Sequence, residues 1–122
     1  MRNRDEIRVD GLDIDNGLEL YNGDEDIYFS VLRSVADSIP DRLCMIMQTD
    51  DLDKYAVVVH GMKGSFRGVG AEGLGVAAEK LEIAALSGDT GFIAAHNASF
   101  VEAVRVFLEK VDDLFIDGGE QN

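Results

Sequence analysis

Apolar residues recur every three or four positions along most of this 122-residue chain, which is the spacing of one face of an α-helix. The pattern predicts four long amphipathic helices, since strand-type alternation does not persist beyond a few residues. The single proline, Pro40, also argues against a turn-rich all-β protein and is expected to kink or restart the first of these helices. The predicted helices cover residues 25–47, the segment between turns at 49–51 and 68–70, residues 71–87 and residues 90–116.

Polar turn sequences separate these helices. Asn22-Gly23-Asp24, Thr49-Asp50-Asp51 and Ser87-Gly88-Asp89 each place an aspartate where it can cap the next helix. A further short helix, capped by Asp13 or Asp15, is expected before the first long one. Because short connections join antiparallel neighbours, we predict an all-α fold: an antiparallel up-down four-helix bundle with a short extra N-terminal helix. Its bounds are residues 11–116, between a flexible leader or linker at 1–10 and a frayed tail at 117–122.

Composition narrows the classes of function. A length of 122 residues and an apolar content of 46% fit one globular domain. The net charge of −13 disfavours nucleic acids and anionic membrane surfaces as partners. No membrane-spanning apolar run or signal peptide is evident, so the cytoplasm is the expected location. The one cysteine, Cys44, excludes an intramolecular disulfide, and its apolar neighbours predict a buried, inert thiol.

One predicted helix carries a histidine opposite its apolar stripe. At about 100° per residue, six apolar side chains form one face, and His60 points away from them. Lys63, Gly64 and Arg67 lie beside His60 at i+3, i+4 and i+7. The segment 54–71 contains three cations and no carboxylate, which predicts a local positive field within an acidic protein. The stripe consists of Tyr55, Val58, Val59, Met62, Phe66 and Val69.

The sequence His60-x-x-Lys63-Gly64-x5-Gly70-Ala71, followed by Leu74 and by Leu81-Glu82, resembles the histidine-containing phosphotransfer (HPt) domain of bacterial two-component phosphorelays. The likeness covers roughly residues 11–115. It extends to Gly11-Leu12-Asp13, Gly17-Leu18, Gly23-Asp24, Tyr28 and Ser87-Gly88-Asp89. The chain departs from the family pattern at Arg67, which is bulkier than the small residues usual there, and at Gly73 and Gly75 in the following helix.

The resemblance implies a role for each residue of the motif. His60 would be the phosphoacceptor, Lys63 would neutralise phosphoryl oxygens, and Gly64 would leave a gap for a response regulator's receiver domain. Glu82 occupies the position from which the family's glutamate or glutamine holds the imidazole. We hypothesise from spacing that Glu82 accepts a hydrogen bond from Nδ1–H of His60, which leaves Nε2 as the nucleophile. The alternative is a solvated Glu82, or a salt bridge from it to Lys80 or Lys63.

A partner surface is expected around the histidine, formed by Gly64, Arg67, Val57 and Ala56. Arg67 is also a second candidate for binding phosphate or a partner carboxylate. The resemblance implies receiver domains and a sensor histidine kinase, hybrid or not, as partners. It implies no cofactor or metal bound by this chain, because the receiver domain would supply Mg²⁺. Since no ATP-binding motif appears, the chain is expected to be a phosphohistidine carrier rather than an enzyme.

Two alternative functions stay open for the His60 motif. One is the substrate domain of a chemotaxis-type histidine kinase, phosphorylated from ATP by a kinase domain. The other is a receiver-docking module whose histidine is never phosphorylated. Metalloenzymes and nucleophilic triads find little support, since neither His60 nor His96 completes a Glu-x-x-His pair and neither Ser65 nor Cys44 lies in a strand-turn-helix context. His96 is expected to be an ordinary surface or half-buried helix residue.

Overall fold

The computed structural model describes residues 12–120, with the side chains of residues 12–115, and this part of the chain is mostly helical. Five helices and no strand occur within that span, so the protein is all-α there. The predicted leader at 1–10 lies outside the described residues, as do residues 121–122 of the predicted tail. The helices are α1 (Ile14–Glu19), α2 (Glu25–Gln48), α3 (Leu52–Arg67), α4 (Glu72–Leu86) and α5 (Thr90–Glu120).

Aspartate side chains cap the first three helices, as the sequence predicts. Asp13 caps α1, Asp24 caps α2 and Asp51 caps α3, and each carboxylate accepts a hydrogen bond from a first-turn amide at 3.0, 3.1 and 2.9 Å respectively. Of the two candidates for α1, Asp13 therefore takes the capping role. These bonds satisfy amides that have no partner within the helix, and the negative charge suits the positive end of the helix dipole.

Two predicted details of α2 and α5 are wrong, and at Pro40 one of two alternatives is excluded. α2 runs from Glu25 to Gln48 with Pro40 inside it, so the helix does not restart there. Cys44 is exposed rather than buried. Consecutive helical residues point about 100° apart, and its neighbours Leu43 and Ile46 take the core-facing positions. α5 extends to Glu120, past the predicted end at 116 and into the segment expected to fray.

The hydrophobic core contains side chains from all five helices. α2 contacts α3, α3 contacts α4, α4 contacts α5 and α5 contacts α2, while α1 packs on α2. The predicted apolar stripe of α3 is confirmed, since every one of its six members is at most 8% exposed. Phe66 from that stripe meets Phe100 and Phe107 of α5 edge to face, with ring centroids 6.5 and 5.7 Å apart. Burial of this stripe leaves the opposite face of α3 on the outside of the protein.

The N-terminal part of the chain fixes the turn between α3 and α4. The carbonyl groups of residues 68, 69 and 70 accept hydrogen bonds, in that order, from the Tyr21 hydroxyl at 2.8 Å, the Tyr28 hydroxyl at 2.7 Å and the Asp13 amide at 2.9 Å. Gly70 has a φ of +87°, and a Cβ there would collide with the Asp13 carbonyl. These contacts, which we call the N-terminal clamp, hold the start of α4 in place against the end of α3.

Removal of the Tyr28 hydroxyl is expected to lower the free energy of unfolding by about 1–2 kcal/mol. Tyr28 is 0% exposed, so the Val69 carbonyl would lose this partner in a buried place. Burial raises the pKa of Tyr28 above its ordinary value of 10.0, so the hydroxyl remains a neutral donor. Urea unfolding of Tyr28→Phe measures the loss. Tyr21→Phe is the matched control, because its hydrogen bond to the same turn is partly buried and its loss should cost less; a Tyr28→Phe protein as stable as the natural chain would contradict this role.

Candidate functional site

His60 projects from the middle of α3 on the side away from the core. Its side chain is 64% exposed, whereas the neighbouring stripe residues Val59 and Met62 are fully buried. The outward orientation predicted from helical spacing is thereby confirmed. An imidazole in this position contributes little to packing, and it is accessible to a group carried by another macromolecule.

Glu82 of α4 holds the imidazole ring. Its Oε2 lies 2.7 Å from His60 Nδ1, and its Oε1 accepts a hydrogen bond from Lys63 Nζ at 2.8 Å. The sequence offered the histidine contact and the Lys63 salt bridge as alternatives, and the structure contains both, one on each oxygen of the carboxylate. The Glu82 side chain is 14% exposed, which contradicts a solvated glutamate, and among the described residues its ion pairs are with His60 and Lys63 rather than with Lys80.

The Glu82 carboxylate determines which ring nitrogen can react. Because an ionised carboxylate can only accept hydrogen bonds, the 2.7 Å contact requires the proton of a neutral ring to lie on Nδ1. Nε2 then carries the free lone pair of the His60 ring. The hydrogen bond from Lys63 lowers the pKa of Glu82 against the opposing effect of burial, and the contact with His60 lowers it further. The carboxylate is therefore ionised at neutral pH and able to accept both bonds.

Lys63 places an ammonium group one helical turn from His60. The Lys63 side chain is 20% exposed, and residues one turn apart have Cβ atoms about 5–6 Å from each other. Lysine carries a compact charge on a flexible stem with three rotatable donors. The ammonium can therefore exchange part of its contact with Glu82 for an anionic group placed on Nε2.

Gly64 leaves open space beside His60. The residue is exposed, and a Cβ added there would meet nothing within 4 Å. A glycine inside a helix costs about 0.5–1 kcal/mol relative to alanine, and no neighbour within the described residues requires it. Val57, one turn before His60, is 72% exposed and borders the same face of α3. The exposed side of His60 therefore has open space at Gly64 on one flank and the apolar side chain of Val57 on the other.

Ala56 does not belong to this surface, contrary to prediction. It is 4% exposed and part of the hydrophobic core. Helical geometry puts Ala56 on the same side of α3 as Lys63, about 100° away from Val57. That is the side which α4 covers, and a one-carbon side chain is too short to emerge from it.

Arg67 turns toward α4 rather than toward His60. Its Nη2 donates a hydrogen bond to Glu79 at 2.7 Å, and its Nε lies 3.5 Å from a carboxylate oxygen of Glu72. The hydrogen bond to Glu79 raises the pKa of Arg67. Room for the Arg67 stem comes from Gly75, where a Cβ would lie 2.8 Å from Arg67 Cγ. Two of the departures from the family pattern, Arg67 and Gly75, therefore fit each other across the two helices.

Sequence reasoning missed Glu79 as part of this network. A signal was present, since Glu79 precedes Glu82 by three residues and so shares its face of α4. The third departure, Gly73, is exposed with nothing within 4 Å of an added Cβ, and nothing in the structure explains it.

The remaining candidates add no second site. His96 is exposed, and its ring contacts that of Phe92 at a tilt of 40° with centroids 4.3 Å apart, which confirms it as a surface helix residue. Within the part of the chain that the structure describes, no three His, Cys, Asp or Glu side chains are grouped to hold a metal ion. Among the described helices, none has an apolar stretch of the length needed to cross a lipid bilayer.

Comparison with known proteins gives no family for the chain. No protein-family model matches it, and neither a curated protein nor a solved structure does. The functional conclusion therefore depends on the geometry around His60 and on the resemblance of its motif.

Proposed function

We propose that this protein is a phosphohistidine carrier of the HPt type. It accepts a phosphoryl group on His60 from a receiver-domain aspartate and passes it to another receiver domain, in two-component signal transduction. The observation that carries the proposal is the joint contact of one carboxylate with His60 Nδ1 at 2.7 Å and Lys63 Nζ at 2.8 Å. This arrangement leaves Nε2 of the exposed His60 ring free to react. It also keeps the Lys63 ammonium near the ring, where it can bind a phosphoryl group on Nε2.

The transfer step needs only one bond made and one broken. The Nε2 lone pair of His60 forms a bond to the phosphorus of the receiver's aspartyl phosphate, and the bond from phosphorus to the aspartate oxygen breaks. The electron pair of that bond returns to the receiver's aspartate, which leaves as a carboxylate. No proton has to move, because Nδ1–H stays on the ring and remains bonded to Glu82. The reverse step returns the phosphoryl group to a second receiver.

The charges of the site favour the transferred state. Once Nε2 is bonded to phosphorus and Nδ1 keeps its proton, the His60 ring carries a positive charge, which the Glu82 carboxylate stabilises. Lys63 supplies positive charge to the phosphoryl oxygens, and phosphoryl transfer depends chiefly on such positioning and charge stabilisation. The receiver domain is expected to bring Mg²⁺, so this chain supplies the acceptor and two charged groups.

The packing of the helices supports the proposed bundle. α2, α3, α4 and α5 contact one another in a closed cycle, and turns of a few residues connect them. Contacts across α3 and α4 run in opposite order along the two helices, since Lys63 meets Glu82 and Arg67 meets Glu79. Both features are expected of an antiparallel up-down four-helix bundle, with α1 as the short additional helix.

The proposed partners are receiver domains of response regulators and a sensor histidine kinase, which is hybrid if it carries its own receiver. The chain itself is proposed to be a carrier and not an enzyme. We place the function in the cytoplasm, because a single cysteine suits a reducing compartment. The kinase substrate domain and the unphosphorylated docking module are the competing functions, and they differ from the proposal in the donor or in the absence of transfer.

The deciding experiment incubates the chain with receiver domains from the same genome that carry a radiolabelled aspartyl phosphate. We expect the label to move to this chain and to be lost in acid but kept in base, as a nitrogen–phosphorus bond requires. A parallel incubation uses ATP and a histidine-kinase catalytic domain. Labelling only in the ATP incubation would instead support the kinase substrate domain. Receiver binding with no label in either would leave the docking module.

Glu82→Ala is expected to slow phosphoryl uptake by about 10-fold, the effect of losing about 1.5 kcal/mol of a charge-assisted hydrogen bond in the transition state. The ring would lose both its orientation and the charge that balances its positive form. Single-turnover labelling from a phosphorylated receiver measures the rate. Glu82→Gln is the matched comparison, since its amide oxygen still accepts the Nδ1 bond without the charge, and its rate should be intermediate. Uptake by Glu82→Ala at the natural rate would remove this role.

A further inference from the structure

Two ion pairs form successive rungs between α3 and α4. Lys63 meets Glu82 at 2.8 Å, and Arg67 meets Glu79 at 2.7 Å. The two cations are four residues apart and lie on one face of α3. The two acids are three residues apart and lie on one face of α4. Glu79 therefore lies about one helical turn from the carboxylate that holds the acceptor ring.

We infer that Arg67 is a positioning residue for the His60 site, and that it acts by holding Glu79. With Glu79 occupied, the Lys63 ammonium remains with Glu82 and stays available to a phosphoryl group. The inference deepens the proposed function and rests on it. Arg67 is not a catalytic residue, because its guanidinium is directed to Glu79 and contacts neither the His60 ring nor the Glu82 carboxylate.

The position of the Arg67 side chain on α3 is determined by residues of α4. Gly75 is buried, and a Cβ there would lie 2.8 Å from Arg67 Cγ and 3.4 Å from Nε. A glycine inside a helix has an energetic cost, which is offset here by the space it provides for the arginine stem. Glu79 accepts a hydrogen bond from Arg67 Nη2, and a carboxylate oxygen of Glu72 lies 3.5 Å from Nε as a longer ion pair. The arginine is thus held in one place by shape and by charge, as a fixed partner for Glu79 requires.

Loss of Arg67 would leave the Glu79 carboxylate without this cation, one turn from Glu82. Lys63 would then be shared between two carboxylates, because its flexible stem and three donors allow either contact. The negative charge of Glu79 would also oppose the arrival of a phosphoryl group at His60. Both effects depend on the charge of Glu79, so they should disappear when that charge is removed as well.

The test compares Arg67→Met, Glu79→Gln and the double variant with the natural full-length chain. Methionine keeps an apolar stem over Gly75, so folding should be preserved, and circular dichroism verifies it. We expect Arg67→Met to take up phosphoryl groups about 5-fold more slowly and Glu79→Gln at the natural rate. The double variant should return to within about 2-fold of the natural rate. Lys80→Met is the matched control, since it removes a neighbouring exposed cation of α4 and should change the rate less than 2-fold.

A second readout follows the Glu82 carboxyl by ¹³C NMR and needs no phosphoryl transfer. The pKa of Glu82 should rise in Arg67→Met, because Lys63 would be drawn partly away from this carboxylate, and it should return in the double variant. A natural chain that takes up no label would defeat the proposed function, while this titration would still decide whether Arg67 keeps Lys63 on Glu82. A double variant as slow as Arg67→Met, a slow Glu79→Gln, or a Lys80→Met equal to Arg67→Met would overturn the inference and leave the rung a structural one.

Discussion

The His60→Gln protein is expected to take up no phosphoryl group from a phosphorylated receiver domain, a complete loss rather than a slower rate. The glutamine side chain is polar and similar in reach, but its amide nitrogen offers no lone pair for attack on phosphorus. The His60 side chain is 64% exposed, so the substitution removes the nucleophile without opening the core. The measurement is the label retained by the chain after separation from the receiver at neutral pH.

His96→Gln is the matched control, because the chain contains two histidines. His96 is exposed on α5, a different helix from those that carry His60, Lys63 and Glu82, and its ring contacts that of Phe92. Full labelling of His96→Gln beside an unlabelled His60→Gln would assign the phosphoryl group to one ring. Label that persists on His60→Gln would contradict that assignment and with it the proposed function.

The contact between His60 and Glu82 could be predicted because it depends only on the spacing of residues along α3 and on the short turn to α4. Helical spacing places His60 outside the core, and a turn of only three residues at 68–70 limits how α4 can lie against α3. The atom of the ring that Glu82 contacts, Nδ1, also agrees with the prediction. The sequence could not show that Lys63 shares the same carboxylate, because a carboxylate has two oxygens and spacing alone treats the two partners as competitors.

The position of Arg67 over Gly75 could not be predicted from the sequence, for a different reason. Arg67 and Gly75 each look anomalous alone, and their fit becomes visible only when the register of α3 against α4 is known to one residue. Ala56 was misplaced by the same lack of register, since its burial depends on which side of α3 the neighbouring helix covers. Local spacing defines a face of one helix, whereas burial depends on the helix that packs against it.

Burial within a run of adjacent apolar residues was also hard to predict from the sequence. Residues 43–47 are all apolar, yet only Leu43 and Ile46 are buried while Cys44, Met45 and Met47 are exposed. The N-terminal clamp was also not predicted, because it joins tyrosine hydroxyls to backbone carbonyls more than forty residues away. Carbonyl groups carry no sequence signal, so contacts of this kind become visible only in the folded chain.

Gly64→Gln is expected to slow transfer from a phosphorylated receiver by about 100-fold, because a misplacement of about 1 Å at the reacting atoms can cost that much. The new side chain would stand one turn from His60, in the space where nothing lies within 4 Å of an added Cβ. It would hold the receiver away from Nε2 without touching the ring or Glu82. Stability should rise by about 0.5 kcal/mol, since glycine is replaced inside a helix. Labelling rates and urea unfolding measure the two effects.

Two comparisons separate exclusion of the partner from damage to the acceptor. Gly73→Gln makes the same substitution at another exposed glycine with open space around it, nine residues and about 13 Å along α4 from Glu82, and should transfer at the natural rate. A small phosphoryl donor such as phosphoramidate needs no docked protein backbone, so it should label Gly64→Gln and the natural chain equally. If the small donor is slowed as much as the receiver, the glycine serves the ring itself rather than the approach of a partner.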